Sequence, residues 1–405
     1  MTEYKITHLG LYGDGIAEGP IFAPMTLAGE TVTGTLEGTT LKDVKIVTPS
    51  EDRVAPPCRH FKSCGGCQLQ HASDPLVAEW KTGIIAQAMA AQGVEGEIRP
   101  IITSPAQSRR RATFAARRTK KGTMSGFHGR ASGTVVEIPD CQLVEPELIA
   151  ARAIAEGLAE IGGSRKAVLA VTVTTSPRGL DVQASGGKPL DGPLRITLAS
   201  LCESHGFARL TWEDEVIAQR APPVQRFGKA EVCPPPGAFM QATADGEAHL
   251  LAAVQEAVHG AKRIVDLFAG CGTFTLPLAE NAEVLAVEGE RDMMDAMDKG
   301  WRMAKGLKTV THAARDLYRR PLLPDEFKKF DAVVMDPPRS GAEAQTAELV
   351  RSDIKRIAYV SCNPITFARD VAQLIEGGFV LDWVQPVDQF RWSTHVEIAA
   401  QLSRP

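Results

Sequence analysis

The chain reads as a multidomain protein: a small N-terminal β-barrel, an α+β central domain, and a C-terminal α/β domain of Rossmann-like, doubly wound type. Three observations predict this. Short runs of alternating β-branched residues, punctuated by glycine, fill the first fifty residues; this spacing suits a barrel, with another small all-β module as the alternative. A stretch of mixed helical and strand patterns follows, up to the proline tract CPPPGAF at 233–239. Beyond that tract, strand candidates alternate with helical segments to the end, the signature of a largely parallel sheet. The boundaries expected are 1–53, 54–235 and 236–405.

In the first part the strand-like runs are GDGIAEGPIFAP, ETVTGTLEG and LKDVKIVTP. Residues 54–72 form a cysteine-bearing loop without a regular period. A helix is expected from Asp74 and Pro75 through AEWKTGIIAQAMAA, with an acceptable cap at its start;. Residues 98–136 contain no Asp or Glu, yet carry Arg99, Arg109, Arg110, Arg111, Arg117, Arg118, Lys120, Lys121 and Arg130. In a chain of net charge −4 this is a local cationic strip. Such charges gain by displacing counterions from a polyanion, which points to RNA phosphates. The bland alternative is a solvated face on a twisted hairpin.

Among 405 residues, 44% hydrophobic, no apolar run approaches the length of a membrane span;. The N-terminal residues lack the basic-then-apolar plan of a signal peptide, so a soluble, cytoplasmic protein is expected. Eight cysteines there argue for metal binding or catalysis rather than disulfides;. Cys58, Cys64 and Cys67 are spaced by five residues and then two, with Gly65 and Gly66 bending the loop. Cys141 in Pro139-Asp-Cys-Gln is the best fourth thiolate. The spacing points to metal but does not separate zinc from a [4Fe–4S] cluster, and redox disulfide chemistry is the remaining reading. Cys202, Cys233 and Cys271 have no comparable setting and are expected to be structural.

In the C-terminal part, RIVDLF, AEVLAVE, FDAVVMD and RIAYVS are the strand candidates, after a helix at 245–258. The run Asp266-Leu-Phe268-Ala-Gly270-Cys-Gly272-Thr273 closes one strand and opens a helix, and its glycines let backbone approach a ligand;. Glu288 ends the next strand, where an acid grips ribose hydroxyls. Phe274 stands where a dinucleotide site needs its third glycine, so a nucleoside without pyrophosphate, such as S-adenosylmethionine, suits the loop better;. Asp336-Pro-Pro-Arg339 and Ser361-Cys362-Asn363-Pro364 end two further strands and should face the same crevice;.

A thiol in such a crevice permits a particular chemistry. Adding a thiolate to C6 of uracil turns C5 into an enolate carbon able to attack a methyl sulfonium, after which a base must take the C5 proton. Cys362 and Glu397, in His395-Val-Glu397, are suitably placed. A small buried hydrophobe and a surface carboxylate are the respective alternatives.

Assembled, these motifs resemble the RNA uracil-5-methyltransferase family, in its iron–sulfur branch that methylates large-subunit (23S) ribosomal RNA. The resemblance covers nearly the whole chain and is specific because the motifs occur together in order. It implies a TRAM/OB-like barrel at the N-terminus and an S-adenosylmethionine-dependent methyltransferase domain at the C-terminus. It implies Cys362 as nucleophile, Glu397 as base, and a [4Fe–4S] cluster on Cys58, Cys64, Cys67 and Cys141. Gln241, Phe268, Gly270, Thr273, Glu288, Asp316 and Asp336 match cofactor positions. Phe239 is placed to stack on the extruded base. Structured RNA is the expected partner, 23S ribosomal RNA first with transfer RNA as the alternative, with no obligate protein partner, no membrane, and a monomeric enzyme. Two departures stand out: Arg391 and Trp392 follow Phe390 where the family usually has proline, and Thr273 replaces an asparagine. An amino-group methyltransferase is disfavoured by Arg339, since those enzymes usually carry an aromatic after the prolines. A non-catalytic RNA-binding factor is disfavoured by the intact Cys362 and Glu397.

Overall fold

A computed structural model describes residues 2–405. Strands Glu3–Leu9, Gly15–Ala17, Ile21–Ala23, Thr31–Glu37 and Thr40–Thr48 close into a barrel, with the first strand pairing both the second and the fourth. Alternate residues turn inward, so Ile6, Ala17, Ala23, Val32 and Leu41 fill the interior;.

The central part is a seven-stranded sheet. Its order is Glu215–Gln219, Arg209–Trp212, Asp181–Ser185, Leu169–Thr174, Arg111–Thr119, Gly122–His128, Val135–Val136. Helices Arg152–Gly162 and Gly192–His205 cover one face, burying Phe114, Val171, Leu158, Leu198 and Trp212 in a shared core.

The C-terminal sheet has eight strands, and all four sequence candidates are among them. Its order is Val310–Ala314, Glu283–Glu288, Arg263–Leu267, Ala332–Met335, Arg356–Ser361, Glu397–Ser403, Val380–Asp388, Ile102–Thr103. The first five run parallel, and Glu397–Ser403 is antiparallel to both its neighbours. The helix expected at 245–258 spans Ala244–Ala257, capped by the Thr243 hydroxyl, which accepts from the Gly246 amide at 2.9 Å;. Among the described residues no helix is long and apolar enough to cross a membrane.

The eighth strand comes from far upstream. Ile102–Thr103 pairs with Val387 and Asp388, and the helix just before it, Asp74–Ala91, packs against Pro364–Glu376. That helix has the predicted start: the Ser73 hydroxyl accepts from the Leu76 amide, and Pro75 sits in the first turn;. Its buried residues recur every four positions, at Val77, Lys81, Ile85 and Met89;. Residues 74–103 therefore form a strap across the C-terminal sheet, tying residues on either side of the central domain into one core.

Lys81 is the charged member of that buried face. Its ammonium meets the Asp388 carboxylate at 2.6 Å, with both side chains withdrawn from solvent, and it also donates to the Phe390 carbonyl at 3.3 Å. Two charges so deeply buried hold only as a pair. Lys81→Ala, which leaves Asp388 unpaired, is expected to cost about 3–5 kcal/mol in denaturant unfolding; a loss under 1 kcal/mol would show that the pair does not anchor the strap.

Candidate active site

The glycine-bearing turn after Arg263–Leu267 is built from left-handed residues. Phe268, Gly270 and Gly272 have φ of 61°, 55° and 90°. At Gly272 a side chain is also excluded by space, because a Cβ would lie 2.6 Å from Met297. This curl brings the Gly270 amide to Glu288, donating at 3.0 Å, while the amides of Gly289 and Glu290 donate to its other oxygen at 2.6 and 3.0 Å. Three backbone donors thus fix the Glu288 carboxylate at the rim of the turn.

Two more acids share the crevice. Asp266 is fully buried: one oxygen accepts from the Thr275 hydroxyl at 2.5 Å, and the other has no partner. Burial, together with the fields of Asp336 and Glu288, pushes its carboxyl up to about 7;. Burial pushes half-buried Asp336 up to about 7 as well. Three carboxyls around one crevice attract a cation and repel a pyrophosphate. This electrostatic setting favours the sulfonium nucleoside over the dinucleotide.

The remaining cofactor candidates occupy varied settings. The Phe268 ring lies 5.7 Å from that of Tyr318, whose hydroxyl meets Ser340 at 2.8 Å. One oxygen of Asp316 caps its own turn, accepting from the Tyr318 and Arg319 amides at 3.0 and 3.3 Å. Thr273 is half-buried just beyond Gly272. Gln241 is buried, its side-chain oxygen accepting at 2.5 Å from the amide of Gln389.

Strand register brings Cys362 and Glu397 together. Ser361 pairs with Ile398 in the antiparallel ladder, so the next residues out, Cys362 and Glu397, stand opposite one another;. The Asn363 side chain caps the helix Pro364–Glu376 and donates to the Arg339 carbonyl at 2.9 Å, joining the two proline motifs. Cys362 is half-buried, and Glu397 is only 3% exposed. Burial, then Glu397 and Asp336, lift the Cys362 thiol to about 11, opposed by Arg339;. Burial and Asp336 lift Glu397 to about 8, opposed by a hydrogen bond from Gln389. Sequence reasoning missed Gln389, Asp266 and Lys81 as parts of this surround. Gln389 carried one signal, its place in the segment that departs from the family pattern.

The cationic strip divides. Arg110 requires a correction: it is buried, paired with Glu247 at 2.5 Å and bonded to the Gln241 carbonyl at 3.0 Å, so it is an internal strut rather than a surface cation. Arg111 donates to the carbonyls of Gly237 and Ala238, holding the turn that presents Phe239. Phe239 is 65% exposed, at a cleft of about 300 Å³ shared with Arg109, Arg111 and Phe390. Arg117, Lys120 and Lys121 are exposed on the hairpin formed by Arg111–Thr119 and Gly122–His128, with Arg118 half-buried beside them.

The four cysteine candidates share one neighbourhood. Cys67 feels the charge of Cys141, Cys64 and Cys58, and burial first, then these neighbours, push its thiol up to about 12. The Gly66 and Leu143 amides point at the sulfurs of Cys64 and Cys141, at 3.4 and 3.5 Å. Among the described residues no three His, Cys, Asp or Glu side chains are grouped to hold a metal ion. The loop's far side reaches the connection that leads into Glu397: the Gln68 and Leu69 amides donate to the Trp392 carbonyl at 2.8 and 3.0 Å. Trp392, with φ of 61°, is buried in the same apolar cluster as Cys64, Cys67 and Cys141. Cys202 and Cys271 are buried, and Cys233 is half-buried.

Residues 233–405 match the family model described as tRNA (Uracil-5-)-methyltransferase. Over 431 aligned residues the chain is 31% identical to the 23S rRNA (uracil(1939)-C(5))-methyltransferase of a Shewanella species, covering 98% of this chain and 94% of that one. The chain belongs to the RNA uracil-5-methyltransferase family. It is 42% identical over 410 residues to an RNA methyltransferase of Brucella suis, with 99% and 98% of the two chains covered. The fold is shared with the tRNA (uracil-54, C5)-methyltransferase of Pyrococcus abyssi, solved with S-adenosyl-L-homocysteine, at a TM-score of 0.77, 24% identity and 99% of each chain covered. This uracil-5-methyltransferase uses S-adenosylmethionine, in keeping with the acid-lined crevice. Because Glu288 is held ready by three amides, Glu288→Ala is expected to weaken S-adenosylhomocysteine binding roughly ten- to hundredfold by calorimetry, the worth of hydrogen bonds to a charged group. Unchanged affinity would remove Glu288 from the cofactor site.

Proposed function

We propose that this uracil-5-methyltransferase modifies a uridine of 23S ribosomal RNA, with Cys362 as nucleophile and Glu397 as the base that takes the C5 proton. The observation that carries this reading is the register that sets Cys362 against Glu397 beside Asp336. The Cys362 thiol gives its proton to solvent and its sulfur bonds to C6, the C5=C6 π electrons passing into the C4 carbonyl. Bound S-adenosylmethionine would supply the methyl group, which C5 takes with the enolate electron pair while S-adenosylhomocysteine departs. Glu397 removes the C5 proton, and the electron pair left behind restores C5=C6 and expels the Cys362 thiolate. A base lifted to about 8 suits this last step, because a higher pKa strengthens its pull on a carbon-bound proton;. Phe239 stacks on the extruded uracil, and Arg117, Arg118, Lys120 and Lys121 meet flanking phosphates. Arg109 and Arg111 line the cleft next to Phe239.

The cofactor contacts fall to Glu288 at the ribose, Asp336 at the sulfonium, and Gln241, Phe268, Gly270, Thr273 and Asp316 around them. Cys58, Cys64, Cys67 and Cys141 would hold a [4Fe–4S] cluster. Two backbone amides aimed at the Cys64 and Cys141 sulfurs, and the burial of Cys64, Cys67 and Cys141 in one apolar cluster, support that fit;. Such a cluster would brace the loop that grips Trp392, a structural contribution. The chain divides at about 1–53, 54–235 and 236–405, with residues 74–103 strapped onto the last part, and works as a cytoplasmic monomer.

RNA carrying 5-fluorouridine tests the chemistry, since fluorine at C5 gives the base no proton to remove and traps the adduct. Wild type is expected to form a denaturant-stable complex and Cys362→Ala none, whereas Glu397→Gln on normal RNA should accumulate an adduct that wild type releases. For wild type, release should quicken as pH rises through about 8, because the base must be ionised. A Cys362→Ala enzyme that still methylated C5 would sink the mechanism. The substrate is tested by mapping 5-methyluridine in total RNA of cells with and without the gene. Loss from 23S RNA is expected, and loss confined to transfer RNA would overturn that assignment.

A further inference from the structure

Gln389 lies in the loop between the last two strands, 2% exposed, with all four of its hydrogen-bonding directions engaged or aimed at protein. Its side-chain oxygen accepts from the backbone amides of Ala242 and Thr243, at 2.8 and 3.4 Å. Those partners are donors only, so the amide group has one possible orientation. Its nitrogen is thereby turned toward two oxygens, donating to Gln241 Oε1 at 2.5 Å and to Glu397 Oε1 at 3.3 Å.

We propose that Gln389 is a positioning residue for proton abstraction: locked by the backbone at 242–243, it holds one N–H against the Glu397 carboxylate and links that carboxylate to Gln241. The proposal rests on the reading of Glu397 as base. A carboxyl group in this pocket has strong reasons to stay protonated. It is buried, and Asp336 faces it from the end of Ala332–Met335, with the Cys362 thiol opposite. Arg339 acts on Cys362, and His395 precedes Glu397 in its own segment with its charged form disfavoured by burial and by Arg339, Lys81 and Arg109. Gln389 is the neutral donor that favours the ionised form from within the pocket;.

The same bridge ties Glu397 to the segment that carries Phe239, because the Gln241 oxygen is held by the Gln389 amide.

The test is the pH dependence of adduct release, followed by quenching single turnovers on normal RNA. Gln389→Leu, which removes the donor at similar volume, should move the midpoint of release upward by about one pH unit. Gln389→Glu keeps an oxygen for the 242 and 243 amides but turns a second acid toward Glu397, and should shift the midpoint further. If the leucine variant fails to bind S-adenosylhomocysteine, the glutamate variant decides. Wild-type midpoints would overturn the role of Gln389. The underlying reading fails separately, if Glu397→Gln releases product as fast as wild type.

Discussion

The buried contact between Lys81 and Asp388 is where the architecture and the chemistry of this enzyme meet. Asp388 ends the strand Val380–Asp388, and nine residues later Glu397 begins its antiparallel neighbour. Everything between is a connection that must arrive at Glu397 with the carboxylate turned into the crevice. A free loop of that length would sample many conformations. Here it is held at three places: Lys81 grips Asp388 and the Phe390 carbonyl, Arg391 reaches Asp74 at 2.5 Å, and the cysteine loop holds the Trp392 carbonyl.

This arrangement gives the departures from the family pattern a physical meaning. Where proline would stiffen the backbone by itself, Arg391 and Trp392 stiffen it through contacts. Arg391 ties to the start of the helix Asp74–Ala91 and to the Ser104 carbonyl at 3.2 Å, and Trp392 inserts its ring into the central core. The left-handed backbone at Trp392 is strained for a bulky residue and is sustained by that packing;. Rigidity is thus supplied by tertiary structure instead of by ring closure.

Much of the fold was legible because the relevant patterns are local. The four parallel strand candidates end in chemically distinctive residues, and the helix Asp74–Ala91 announces itself through Asp74, Pro75 and a cap at its start. The acid and thiol motifs at strand ends were legible for the same reason. What could not be read was the outcome of long-range pairing. A two-residue strand such as Ile102–Thr103 has no period to detect, and nothing near Lys81 in the chain reveals a carboxylate three hundred positions away. The cationic strip failed in part for a related reason: absence of acids nearby in sequence does not prevent Arg110 from meeting Glu247 in space. Gln389 was invisible as a donor because its orientation is dictated by the amides of Ala242 and Thr243, remote in sequence.

The strap at residues 74–103 also bears on how the enzyme is made. The ribosome releases the strap early, but the sheet it must cover is completed only when Glu397–Ser403, nearly the last segment, has emerged. Until the helix Pro364–Glu376 and the strand Val380–Asp388 have emerged, Ile85 and Met89 lack the surface they pack on, and the eighth strand has no neighbour. Contacts spanning so much of the chain are slow to form. The stretch 233–405, expressed by itself, would lack both a sheet edge and its apolar cover.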